Sequence, residues 1–179
     1  HRSRTAPCDA ALDLAELLGD VDMDRRARID RIKPREHFLQ RHREAVDLLL
    51  VARELAEGPQ FSDVDRADLL FRLGVCRYKL SSIATAVGLF DEALALADSS
   101  GLPCDLLRAD ILGWRSRCRR RQRDFDMARE DVEAALELAQ GVDDRRVVAN
   151  TYFQASLVAE RMGHWVVSRS YAERAKSFY

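Results

Sequence analysis

A pattern of small and bulky apolar residues returns along the chain at nearly constant intervals. Ala86, Phe90 and Ala93 stand at offsets 0, 4 and 7, and Ala128, Val132 and Ala135 repeat the arrangement 42 residues later. Ser168, Ala172 and Ala175 fall into the same slots 40 residues further on, the middle one now small, and Ala45, Leu49 and Ala52 precede Ala86 by 41. Offsets of 4 and 7 lie on one stripe of an α-helix. Helices approach closely only where small side chains meet, so each stripe reads as the contact face of a helix packed on another. Positions upstream repeat in step. Leu70, Leu73 and Gly74 correspond to Leu112, Arg115 and Ser116, then to Tyr152, Ala155 and Ser156. The last slot of each set stays small; Arg115 is the poor fit.

The segments between these stripes carry turn chemistry. Leu80-Ser81-Ser82, Gln122-Arg123-Asp124 and Met162-Gly163-His164 separate a first helix from a second. Ser99-Ser100-Gly101-Leu102-Pro103 and Gly141-Val142-Asp143-Asp144 separate one pair from the next. The pattern predicts tandem helical hairpins over 43–179, with second helices near 43–57, 83–98, 125–140 and 165–179. One hairpin cannot bury its own apolar face, so hairpins of this kind stack. Residues 1–42 are less regular and read as N-terminal helices forming a degenerate first hairpin. A short helix over 7–18 is stopped by Gly19, another over 22–33 is ended by Pro34, and a long helix runs over 35–57.

The small-bulky-small second helix, met by Ala86, Phe90 and Ala93, and the first-helix pair Leu73-Gly74 resemble the tetratricopeptide repeat family. The resemblance covers 43–179, with a period of 40–42 residues, longer than the family's usual ~34. It departs from the family in having Leu-Gly in one repeat alone, no first-helix Trp in register and no Pro closing a second helix. The resemblance implies an all-α fold, a right-handed α-α superhelix of hairpins, as in bacterial transcription regulators with long hairpins. It also implies a groove lined by the first helices, which by register takes Asp68, Phe71, Val75, Tyr78 and Lys79. The next hairpin supplies Asp110, Gly113, Arg117, Arg120 and Arg121, and the last Asn150, Phe153, Leu157, Glu160 and Arg161. Aromatic side chains beside clustered guanidiniums suit a peptide or partner helix with acidic and apolar groups; the plainer alternative is a solvated face with both phenylalanines buried.

Composition narrows the function classes. Gly (8) and Pro (4) are too scarce for a loop-rich or all-β chain. A formal net charge of −1 argues against wholesale electrostatic binding to DNA or to an anionic membrane. The preference for Arg over Lys is that of a GC-rich bacterial genome. Arg115, Arg117, Arg119, Arg120, Arg121 and Arg123 form a basic run, but a helix distributes them around its axis, acidic neighbours including Asp124 and Asp131 lie close, and no interleaved aromatics suit base stacking. Nucleic-acid contact through 115–123 is therefore the weaker reading.

No nucleophile elbow, glycine-rich phosphate loop or H-E-x-x-H motif is present, and no cofactor site is expected. His37 and His42 are five residues apart and do not share a helix face as a metal pair would. Cys8, Cys76, Cys104 and Cys118 show no zinc spacing. Cys76 and Cys118 occupy equivalent places in successive hairpins, too far apart for a disulfide, so buried free thiols and a reducing, cytoplasmic setting are expected. Trp165, aligned with Ile83 and Phe125, reads as a packing residue, and Trp114 as core. The chain opens on His1 and closes on a second helix with no polar cap. The reading is therefore a non-enzymatic protein- or peptide-binding scaffold, the interaction part of a larger bacterial regulator, with self-association through the terminal repeat as the alternative.

Overall fold

The structure is a computed structural model that describes residues 33–179, with side chains from 37 onward. The helices expected over 7–18 and 22–33 lie outside the described residues. Among the described residues there are seven helices and no strand: α1 (Lys33–Leu55), α2 (Asp63–Lys79), α3 (Ile83–Ser99), α4 (Asp105–Arg121), α5 (Phe125–Ala139), α6 (Arg145–Arg161) and α7 (Trp165–Lys176). None is long and apolar enough to cross a membrane. The chain divides into two compact units, His1–Leu96 and Ala97–Tyr179.

In the first unit α1 packs on α2. Pro34 lies in the first turn of α1, which begins at Lys33, and there a missing N–H removes no intrahelical bond. Ala45, Leu49 and Ala52 are fully buried. A capping box starts α2: the Ser62 hydroxyl accepts from the Asp65 amide at 3.1 Å, and the Asp65 carboxylate accepts from the Ser62 amide at 2.9 Å. The second unit holds two hairpins, α4 with α5 and α6 with α7. Within it α5 also packs on α6, and the two first helices, α4 and α6, lie side by side. Asp124 and Asp144 cap α5 and α6 by accepting from the amides of Met127 (3.3 Å) and Val147 (3.0 Å).

Each hairpin closes through the same turn. Ser81, Arg123 and Gly163 hold φ of 64°, 65° and 79°. The residue after each, Ser82, Asp124 or His164, donates its N–H to a carbonyl five residues back (Arg77, Arg119, Ala159), every time at 2.9 Å. This is the Schellman arrangement, in which a left-handed residue reverses the chain and satisfies carbonyls that the helix end leaves open. Polar Ser81 and Arg123 tolerate that conformation at a modest cost that Gly163 does not bear.

The repeating small slot is where first and second helices meet. A Cβ built on Gly74 would lie 2.6 Å from the buried Phe90 ring, so no side chain fits there. By register the equivalent slots hold Ser116 with the smaller Val132 and Ser156 with the still smaller Ala172, so the residue opposite is smaller wherever the slot is no longer glycine. The Ser116 and Ser156 hydroxyls donate at 2.8 Å to their own helices, to the carbonyls of Gly113 and Phe153. Ser168 crosses its hairpin, its hydroxyl donating to the Ser156 carbonyl at 2.9 Å. Ala128, Val132, Ala155 and Val158 form a buried cluster, with Leu136, Met162 and Tyr171 around it.

Gly74→Ala should destabilise the fold by roughly 1–3 kcal/mol through overpacking, although alanine is otherwise the better helix former. The double change Gly74→Ser with Phe90→Val copies the pair of the next hairpin and should recover most of that loss. Urea unfolding checks both, and a neutral Gly74→Ala would refute the contact.

Candidate functional site

The groove residues expected from the sequence fall in both units and are described for each in turn. On α2, Phe71 is half-buried, its ring 6.0 Å from that of Phe90, so it belongs partly to the core rather than standing free on the surface. Asp68 pairs with Arg72 at 3.2 Å, one turn along the same helix. Val75, Tyr78 and Lys79 are half-buried, and the Lys79 ammonium sits 6.0 Å from the Phe38 ring of α1.

In the second unit α4 and α6 bring the predicted residues together. The Arg117 guanidinium lies 4.4 Å over the Trp114 ring and donates to Asn150 Oδ1 at 3.3 Å. Gln154 is buried between the two helices. With its amide oxygen turned to Arg117 it accepts from Nη2 at 3.0 Å and Nε at 3.1 Å, and in the opposite orientation it accepts from Arg120 at 3.4 Å. Gly113 is buried where α4 nears α6, its Cβ direction 3.9 Å from Asn150 Nδ2. Asp110, on the same side of α4, faces Arg146 at 3.7 Å. Phe153 is exposed beside them, as are Glu160, Arg161 and Arg121, while Leu157 is half-buried. The predicted set therefore includes a fixed cation, Arg117, held against an indole and a pair of amides, with the exposed Phe153 ring three positions beyond Asn150 on the neighbouring helix. Trp114 is half-buried rather than core because its ring carries Arg117. Sequence reasoning missed Gln154. Its register on α6 was visible, but the burial of its amide was not.

The structure also resolves the misfit at Arg115. Asp131 of α5, itself buried, accepts from Arg115 Nη2 at 2.6 Å and pairs with Arg119 at 3.0 Å. In the preceding hairpin the two slots hold Leu73 and Leu89. A buried aspartate with two guanidiniums thus replaces a leucine pair, and two of the six arginines of the basic run are turned inward by it.

Other expectations end elsewhere. Trp165 is 66% exposed, with Val166 and Val167 exposed beside it, whereas Ile83 and Phe125 in its slot are half-buried. The reason lies in the packing: among the described helices α5 contacts both α4 and α6, but α7 contacts α6 alone. His42 is buried, and its Nδ1–H donates to the Phe38 carbonyl at 2.8 Å, which accounts for the ring as a core group. Cys76, Cys104 and Cys118 are free and buried. Burial pushes the Cys76 thiol up to about 11, against a smaller opposing pull from Lys79, and the Cys118 thiol up to about 12, against Arg121. Neither is a thiolate near neutrality. Among the described residues no group of three or more His, Cys, Asp or Glu is placed to hold a metal ion.

Comparisons with known proteins agree with this architecture. A family model described as tetratricopeptide repeat matches residues 107–179. Among solved structures, BtubC (BKLC) from P. vanneervenii superposes with a TM-score of 0.68 at 19% identity. The match covers 79% of this chain and 59% of that one, so the chain spans well under two thirds of BtubC. The nearly identical TPR-like repeats of a "putative kinesin light chain" from Podosopora anserina give a TM-score of 0.57 at 13% identity, covering 96% and 86%. A substituted form of those repeats gives 0.59 at 13%, covering 98% and 97%. At these identities the likeness establishes the fold. No curated protein matches the chain.

Asp131→Leu alone should cost about 3–5 kcal/mol, because it strands Arg115 and Arg119 without their carboxylate. Arg115→Leu combined with Asp131→Leu, the residues of the preceding hairpin, should restore stability to near or above the parent. Thermal unfolding of the singles and the double decides it; a double variant no better than Asp131→Leu would contradict the pairing.

Proposed function

We propose, from the premise that residues 107–179 are a tetratricopeptide repeat segment, that this chain is a binding scaffold for a protein or peptide carrying acidic and apolar groups. Repeats of this family generally mediate protein–protein interaction, and their fold is typically a non-catalytic scaffold. The observation that carries the finer reading is Arg117, stacked on Trp114 and tethered to Asn150 on the adjacent first helix, with Phe153 exposed nearby. A guanidinium already fixed by a ring and an amide loses little freedom on pairing with a carboxylate, and a half-exposed phenyl ring beside it accepts an apolar side chain. Arg120, Arg121 and Arg161 add positive charge that steers an acidic partner toward this face. The equivalent first helix of the first unit, taken by itself, carries groups of the same kinds in Phe71, Tyr78 and Lys79. We place the scaffold in the cytoplasm, as the interaction part of a larger bacterial regulator; the long repeat period and the arginine-rich composition support that setting.

A second reading, self-association, is favoured by one observation: Trp165, Val166 and Val167 stand in a row on α7, 66%, 85% and 45% exposed. Large apolar side chains grouped in this way on a water-facing helix mark contact surfaces more often than scattered ones do.

Peptides selected from a randomised displayed library should be enriched in Asp and Glu beside aromatic or aliphatic residues. Their affinity should fall at least about tenfold with Arg117→Glu, Arg120→Glu and Arg121→Glu combined, and several-fold with Phe153→Ala, while circular dichroism shows the helices intact. Selection without acidic enrichment, or affinity indifferent to all four changes, rejects the face. For self-association, light scattering across a concentration series should show mass rising with concentration and becoming constant in Val166→Asp; a constant monomer mass in the parent eliminates it.

A further inference from the structure

A second basic feature lies in the first unit. A cleft of about 500 Å³ opens where the end of α2 and the turn to α3 meet the start of α1. It is lined by Phe38, Leu39 and Arg43 from α1, by Arg77, Lys79 and Leu80 from α2 and its end, and by Ser81 and Ser82 of the turn. Three of these eight residues are cations, two are hydroxyls and none is a carboxylate. The rest are apolar, and one is the Phe38 ring, over which the Lys79 ammonium sits at 6.0 Å.

Helix-end electrostatics explains part of this. Arg77 and Lys79 occupy the last turn of α2, where positive charge complements exposed carbonyls. That explanation does not reach Arg43, which comes from another helix and converges on the same space. Nor does it account for what surrounds Ser82. Ser82 precedes the first residue of α3, a helix with no acidic residue in its first turn. In the next hairpin the same slot is Asp124, whose carboxylate caps α5, with Asp126 beside it. The first hairpin thus brings the turn that leads into α3 and three cations to one cleft, and among the described residues that line it none is anionic. Such an arrangement favours a negatively charged guest, which gains from arginine forks, hydroxyl donors and the positive end of the helix together.

The dimensions and the lining narrow the guest. The volume lies in the range of small-molecule sites and exceeds what a bare oxyanion fills. Phe38, Leu39 and Leu80 provide apolar surface for the remainder. We infer that this cleft is a binding site for a small phosphomonoester bearing an aromatic or apolar group, the phosphate meeting Arg43, Arg77 and Ser82 and the organic part resting on Phe38. At neutral pH such an ester carries nearly two negative charges and three acceptor oxygens, which matches the number of cations here. Lys79 belongs both to this cleft and to the first-unit groove set, whereas Arg43 and Arg77 play no part in the partner-binding proposal.

Phenyl phosphate and inorganic phosphate, titrated into the full chain by calorimetry, test the assignment. Phenyl phosphate should bind saturably and at least about threefold tighter than inorganic phosphate. Arg43→Gln combined with Arg77→Gln should weaken it about tenfold or more, with the melting curve checked to show that the variant folds. Arg117→Gln with Arg120→Gln, on the other face, should leave it unchanged. The assignment is overturned if phenyl phosphate does not saturate, if inorganic phosphate binds equally well, if binding survives loss of Arg43 and Arg77, or if the Arg117 and Arg120 variant loses it to the same degree.

Discussion

The fold depends on how closely the two helices of a hairpin approach, and that distance is set by one pair of slots. At Gly74 the absence of a side chain admits the ring of Phe90; a single methyl group would stand 2.6 Å from it. Elsewhere the same slots hold serine with valine and serine with alanine, a smaller partner wherever glycine is replaced. Close-packed interiors tolerate such exchange only when total volume is conserved locally. The flanking alanines, Ala86 and Ala93 or Ala128 and Ala135, remain fully buried throughout, which explains their strict return while the residue between them changes size.

The hairpin of α4 and α5 solves the same packing problem with charge. Asp131 and Arg115 stand where leucines stand before, and Arg119 joins them. A buried ion pair of this kind is at best a weak source of stability, since removing three charges from water offsets much of their attraction. Its structural consequence is plainer: it fixes the arginines on one side of α4 toward α5. Arg117 projects from another side of α4 toward Trp114 and α6. One basic run therefore divides into an inward set that holds a hairpin and an outward set that faces the neighbouring first helix.

The repeat was legible because it follows from helical geometry: small residues at offsets 0 and 7, a turn about every forty residues, and caps such as Asp124 and Asp144 announce helices with little tertiary help. The candidate face was legible in its membership but less so in its character. Register placed Asn150 and Arg117 on adjacent first helices. It did not show that Phe71 would be drawn half into the core against Phe90, nor that Gln154 would lie buried between Arg117 and Arg120. Trp165 was misjudged because its slot is structural in the other hairpins; what differs is the packing of α7, which among the described helices contacts α6 alone. The cleft around Arg43 and Arg77 gave no sequence signal, since Arg43 precedes the other two cations by more than thirty residues.

The sequence by itself determined the helices, their order and the crossing of each pair, because those depend on periodicity, turn residues and side-chain volume, which are local. Tertiary structure alone decided which arginines are neutralised, which aromatic rings meet solvent and which distant cations converge. Charge and exposure depend on neighbours brought together by packing, and in a helical array those neighbours come from different helices, far apart along the chain.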